Sequence, residues 1–174
     1  PPPFDLLYWN SDSTNLPGPF YAWYLRNTYL ENKFVTPGAV TVCGEKIDLS
    51  KVNIPVYIYG SREDHIVPIG GAYASTQHLP GQKRFVMGAS GHIAGVVNPP
   101  SAQKYQYWTN DADVATLAEF VAGATETKGS WWPYWLGWLT DQAPETVAAK
   151  GARVPGEGKL AAIEDAPGSY VKTR

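Results

Sequence analysis

Two runs rich in β-branched and aromatic residues, 56–59 (VYIY) and 84–87 (RFVM), each end at a glycine, Gly60 and Gly88. Each is followed within a few positions by a titratable side chain, Asp64 in GSREDHIVP and His92 in GASGHIAG. Side chains of this kind suit strands, and the 28 residues between Asp64 and His92 leave room for one strand and one short helix. The segments are therefore expected to be neighbouring strands of an α/β sheet that present an acid and a base at their carboxyl ends. That pair is the centre around which residues 56–95 are organised.

A chain of 174 residues can hold one domain with its own core. Its 15 Pro, 17 Gly, 7 Trp and 11 Tyr point to irregular connections with large aromatic anchors rather than to a helical bundle. A net charge of −2 without a Lys/Arg cluster argues against a nucleic-acid partner. The single Cys43 cannot form an internal disulfide, so a cytoplasmic chain is expected. No apolar run approaches the ~18 residues of a membrane span, so no transmembrane segment is expected. The opening PPPF without Met leads us to expect a piece of a longer polypeptide.

Before the central block, 5–9 (DLLYW) is a short strand or helix end, followed by turn formers around Asp12. Tyr21, Tyr24, Leu25, Thr28 and Tyr29 recur at helical spacing, which predicts an apolar helix over 20–32. Residues 39–44 (AVTVCG) and 47–49 form an expected hairpin that turns near Gly44 and Glu45. Within the block, 70–78 makes a brief helix stopped by Pro80 and Gly81. After it, YQYWTND leads into a helix over about 113–123 whose apolar set is Val114, Leu117, Ala118 and Val121. Ser130 caps a further helix, SWWPYWLGWL, so apolar around its circumference that burial against the sheet, a cap or a partner chain is expected. Residues 141–174 are expected to be an irregular tail.

The candidate catalytic residues are His92 as general base and Asp64 as the carboxylate that holds its tautomer and stabilises the imidazolium. His65 is a secondary candidate, whose alternative is simply to cover the loop. Asp12 is another, with an Asx turn as its alternative. His78 is expected at the surface. Cys43 lies where a strand meets a polar turn rather than a sharp elbow, and is expected to be a buried small apolar residue, not a nucleophile. No metal site is expected, because three His and one Cys show no ligand spacing. No phosphate-binding or dinucleotide-binding glycine motif is present, so no cofactor is expected.

Five separated strings, DLLYWNSDSTNLPGP, YIYGSREDHIVP, GASGHIAGVVNPP, YWTND and GSWWPYW, closely resemble in content and order the carboxyl-terminal part of class I polyhydroxyalkanoate synthases. The likeness runs from Asp5 to about Trp138. It implies the carboxyl-terminal part of an α/β-hydrolase fold, with residues 1–22 in a cap subdomain, 23–140 in the catalytic core and 141–174 as a tail. It implies a Cys-His-Asp triad whose His and Asp map onto His92 and Asp64. The Cys belongs to a G-x-C-x-G elbow upstream, and neither that motif nor G-x-S-x-G occurs here. The partners implied are an (R)-3-hydroxyacyl thioester of coenzyme A, the growing polyester chain, a second copy in a homodimer, and the surface of cytoplasmic polyester granules.

A polymerising acyltransferase must keep water from its acyl-enzyme, which calls for a dry apolar cavity. Trp9, Phe20, Tyr21, Trp23 and Tyr24 are candidate cavity residues, plain core packing being the alternative. An esterase, thioesterase or polyester depolymerase would present the same Asp and His, and the identity of the elbow nucleophile separates these from a synthase. A third reading is a non-catalytic scaffold or granule-docking half, engaged through the tryptophan-rich helix. The 174-residue chain by itself is expected to be inactive, since covalent catalysis needs the absent thiol.

Overall fold

A computed structural model describes residues 11, 13–166 and 168–169. The expected element at 5–9, Trp9 and Asp12 lie outside the described residues. The chain divides into two compact units, Pro1–Pro133 and Tyr134–Arg174.

Among the described residues of the first unit, the first helix is α1, Gly18–Leu25, followed by a π-helical turn, Arg26–Leu30. Across the widened turn Asn27 Nδ2 donates to the Trp23 carbonyl at 2.7 Å and Thr28 Oγ1 to the Tyr24 carbonyl at 2.6 Å. The Glu31 amide then reaches back five residues to Arg26 O at 3.0 Å. The helix expected over 20–32 is thus two elements, and of its residues only Asn27 is buried.

Strands β1, Val40–Val42, and β2, Glu45–Ile47, pair antiparallel. Their two-residue turn is Cys43-Gly44, with φ of 51° and 86°. Two positive φ values match the right-handed twist of a tight hairpin, so the turn falls one residue earlier than expected. Cys43 is consequently exposed. The expectation of a buried thiol is corrected, since a side chain at a hairpin apex points away from any core.

The main sheet has the order β3-β4-β5-β6: β3 Val56–Ser61, β4 Lys83–Gly88, β5 Gln106–Thr109 and β6 Thr125–Lys128. β3 and β4 run parallel, and the crossover between them holds α2, Ile69–Ala74, while β5 and β6 continue the sheet antiparallel. Alternation sends Ile58, Phe85 and Met87 to one face, where Tyr73 of α2 and Phe120 of α3, Leu117–Ala122, complete the core. Phe85 meets Phe120 edge to face at 5.1 Å and Tyr73 at 4.9 Å, and the Tyr73 hydroxyl donates to Val114 O at 2.7 Å. Gly60 faces the same side, and a Cβ there would crowd Ile69 and Ala72, so its lack of a side chain sets how closely α2 packs. On the other face Tyr57 and Tyr59 lie against the Trp131 ring, at 6.2 and 4.6 Å.

α3 begins at Leu117, not near 113, because Thr116 forms a capping box with Glu119. That start turns Phe120 into the core and leaves Val121 exposed, which reverses the expected packing of Val121. α4, Trp132–Gln142, begins at the end of the first unit and runs into the second, where the described residues after it hold one short 3-10 turn, Gly151–Arg153. Every residue of α4 is at least partly exposed in the single chain, as are Val147, Leu160 and Ile163 after it.

Candidate active site

The register of the parallel pair decides where the loops meet. Ser61 pairs with Gly88, an offset of 27 residues, so Asp64, three positions beyond β3, lies level with residue 91. The ladder continues past the strand ends: Arg62 N donates to Gly88 O at 2.8 Å and Glu63 N to Ser90 O at 3.0 Å. His92 is the next residue, and its Nδ1 stands 2.8 Å from Asp64 Oδ2. Ser90 adopts the left-handed conformation, with φ of 69°, at the bend that carries the chain from β4 to His92.

Asp64 closes its own turn. Its Oδ1 accepts from the amides of Ile66 at 2.9 Å and Val67 at 2.8 Å, leaving Oδ2 for His92. The Val67 amide holds the carboxyl well below its ordinary 3.8, at about 2; burial opposes this, and the His92 and Ile66 bonds add to it. The Asp64 side chain is 8% exposed and that of His92 39%, so the carboxylate lies behind the ring and the imidazole meets solvent. An ionised Asp64 beside Nδ1 favours the tautomer with its proton on Nδ1. Nε2 is then the basic nitrogen available for proton transfer.

Beneath the pair, the Tyr59 hydroxyl lies 3.3 Å from Ser61 Oγ, where burial raises its pKa. Two glycines make space for it and for the His92 loop: a Cβ at Gly88 would overlap the Tyr59 hydroxyl, and one at Gly95 would overlap the Ala89 carbonyl oxygen. These glycines flanking His92 are therefore demanded by the close approach of the Tyr59 ring and the Ala89 carbonyl. The loop turns back on itself through Gly95 N to Gly91 O at 3.4 Å and Val97 N to Ile93 O at 2.9 Å. Trp131 and Trp132 both donate their indole N–H to Val96 O, at 3.3 and 2.9 Å.

The structure brings Asp64 and His92 together. His65 is exposed within the turn that Asp64 closes, and His78 is half-buried after the 3-10 turn Ser75–Gln77. Tyr24 is 38% exposed on α1, stacked on Phe20 and edge-on to Tyr29. Composition and spacing gave no indication of the Tyr59 slot or the double indole contact, because both depend on which strand face each ring occupies. A shallow pocket lined by Tyr73, Lys83, Phe85 and Asp113 lies on the α2 side of the sheet and includes neither Asp64 nor His92. Among the described residues no group of three or more His, Cys, Asp or Glu side chains could hold a metal ion. Among them also, no helix is long and apolar enough to cross a membrane.

The family model of the alpha/beta hydrolase fold matches residues 1–99, more than half of the chain. The chain belongs to the alpha/beta hydrolase fold family. Within that family it is 56% identical, over all 174 residues, to the Poly(3-hydroxyalkanoate) polymerase subunit PhaC of Cupriavidus necator, of which it covers 29%. It is 46% identical over its full length to the subunit of the same name from Rhizobium meliloti, covering 28% of it. It is 37% identical to Poly(3-hydroxyalkanoate) polymerase 2 of Ectopseudomonas oleovorans, covering 30%. This alpha/beta hydrolase chain thus spans less than a third of the length of these relatives, and the expected likeness to polyhydroxyalkanoate synthases is borne out.

Proposed function

We propose that this chain supplies the acid and base of an acyltransferase that polymerises (R)-3-hydroxyacyl coenzyme A thioesters into polyhydroxyalkanoate with release of coenzyme A. The observation that carries this reading is the 2.8 Å contact between His92 Nδ1 and Asp64, which leaves Nε2 to move protons. The nucleophile is a Cys supplied by sequence that the relatives contain and these 174 residues do not. In the first step His92 Nε2 takes the thiol proton and sulfur attacks the thioester carbonyl. The carbon–sulfur bond to coenzyme A breaks, and the proton passes to the departing thiolate. In the second, the 3-hydroxyl of another acyl unit gives its proton to Nε2 and attacks the acyl-enzyme. An ester forms, and the returning proton restores the Cys thiol. The thioester is itself the activated substrate, so the cycle needs no cofactor. Work as a homodimer at the surface of cytoplasmic polyester granules rests on the family resemblance alone.

The test is His92→Gln in the full-length protein, followed by release of coenzyme thiol from 3-hydroxybutyryl coenzyme A. Loss of at least a thousandfold is expected, and turnover within tenfold of wild type would remove His92 from the mechanism. Free hydroxy acid without polymer as the wild-type product would favour a thioesterase instead. The 174-residue chain alone is expected to release no thiol.

A further inference from the structure

We propose that Trp131 and Trp132 are positioning residues that together fix the His92 loop against the strand bearing Asp64. The inference rests on the reading of His92 as the base.

Loop 91–97 is short and internally hydrogen-bonded, so its far end controls its orientation. That end is Val96, whose carbonyl oxygen accepts the indole N–H of Trp131 at 3.3 Å and of Trp132 at 2.9 Å. A carbonyl has two lone pairs, and two ring donors use both. The same Trp131 ring lies 4.6 Å from Tyr59, whose hydroxyl fits where Gly88 and Gly95 lack a side chain. Tyr59 belongs to β3, the strand that ends three residues before Asp64. One pair of indoles thereby references the His loop and the Asp strand to each other, from a segment more than thirty residues away in sequence. The indole N–H groups go to Val96 O, and the Asp64–His92 bond is made by those two side chains themselves, so the effect is on alignment.

The experiment compares Trp131→Phe, Trp132→Phe and the double variant with wild type and His92→Gln, all in the full-length protein. Measured are kcat and KM for thiol release from 3-hydroxybutyryl coenzyme A, and the low-field proton resonance of the His92 Nδ1–H hydrogen-bonded to Asp64. Each single variant is expected to lower kcat less than threefold, because one donor remains on Val96 O. The double variant is expected to lower kcat at least tenfold with KM within twofold, and to broaden or shift the resonance. A double variant with kcat within twofold and an unchanged resonance overturns the proposal. Full turnover in His92→Gln would sink the base assignment instead, and the resonance would still decide the positioning role, since it reads the contact without activity. If the double variant does not fold, Trp132→Phe decides on the resonance, which is expected to shift on loss of the shorter, 2.9 Å donor even while kcat falls less than threefold: a shifted or broadened resonance supports the proposal and an unchanged one overturns it.

Discussion

Replacing Asp64 with Asn changes one atom and inverts the proton arrangement at His92. The wild-type carboxylate accepts three hydrogen bonds, two on Oδ1 from the Ile66 and Val67 amides at 2.9 and 2.8 Å, and one on Oδ2 from His92 Nδ1 at 2.8 Å. Asn has a single acceptor oxygen. Placed toward His92, it would leave its NH2 facing two backbone donors, so the amide settles with oxygen toward the turn and NH2 toward the imidazole. His92 must then offer a lone pair at Nδ1, which moves its proton to Nε2 and abolishes the base. The same inversion in a Ser-His-Asp triad costs about 10⁴ in kcat with the geometry otherwise intact, and a loss of that order is expected here. The assay is single-turnover acylation in the full-length protein, with circular dichroism to establish that the turn survives. Acylation within tenfold of wild type, in a folded variant, would refute the assignment of Asp64 as the group that sets the tautomer.

The carboxyl of Asp64 also predicts an acid limit. Its folded pKa of about 2 lies below its ordinary 3.8, so the ionised form favours the folded state above about pH 4, and that contribution disappears as pH falls through about 2. The stability gap between wild type and Asp64→Asn should therefore close on acidification across this window; a gap independent of pH would contradict it. Phe120→Ala removes a ring that is 2% exposed and packed on Phe85 and Tyr73, and should cost about 3–5 kcal/mol in urea unfolding. Gly88→Ala places a methyl where the Tyr59 hydroxyl and its outer ring carbons lie and should cost about 1–3 kcal/mol, relieved when combined with Tyr59→Leu, which removes those atoms, and not with Tyr59→Phe, whose ring still overlaps. Equal costs with and without the ring would place the strain elsewhere.

The sequence made the centre of the sheet legible and its edge illegible, for different physical reasons. β3 and β4 are buried enough to require apolar, β-branched residues, and a parallel pair needs a crossover, so 28 residues between acid and base translate directly into neighbouring loop tips. β6 reads TETK and is exposed at every position, as an edge strand can be, so it carries no hydrophobic alternation to find. β5 was hidden by the same absence, because QYWT on its own suggests only a lead-in to the next helix. The start of α3 had a usable signal, Thr116 three residues before Glu119, which the apolar spacing of Val114 and Leu117 outweighed. Cys43-Gly44 formed its tight turn although the Cys position favours Gly, Asn or Asp, so residue preference misplaced the hairpin by one. Asp64 and His92 were legible as a pair, while what supports them was not, because Tyr59, Gly88 and Trp131 meet across elements distant in sequence.

In the polymerisation proposed above, the bonding of Asp64 bears on which group removes the proton from the attacking 3-hydroxyl. A general base works best with a pKa near the working pH, whereas this carboxyl is held at about 2, chiefly by the Val67 amide. Its oxygens are committed to two amides and an imidazole, and the side chain is 8% exposed, so an incoming hydroxyl would have to displace one of those donors to reach it. The His92 side chain is 39% exposed, and with Nδ1 turned to Asp64 its Nε2 carries the lone pair. Protonating that nitrogen strengthens the contact to Asp64 instead of breaking it, because an imidazolium beside an ionised carboxylate is the charge-assisted form of the same 2.8 Å bond. Under the function proposed above, one imidazole serves both proton removals, from the thiol and then from the hydroxyl, with Asp64 ionised throughout.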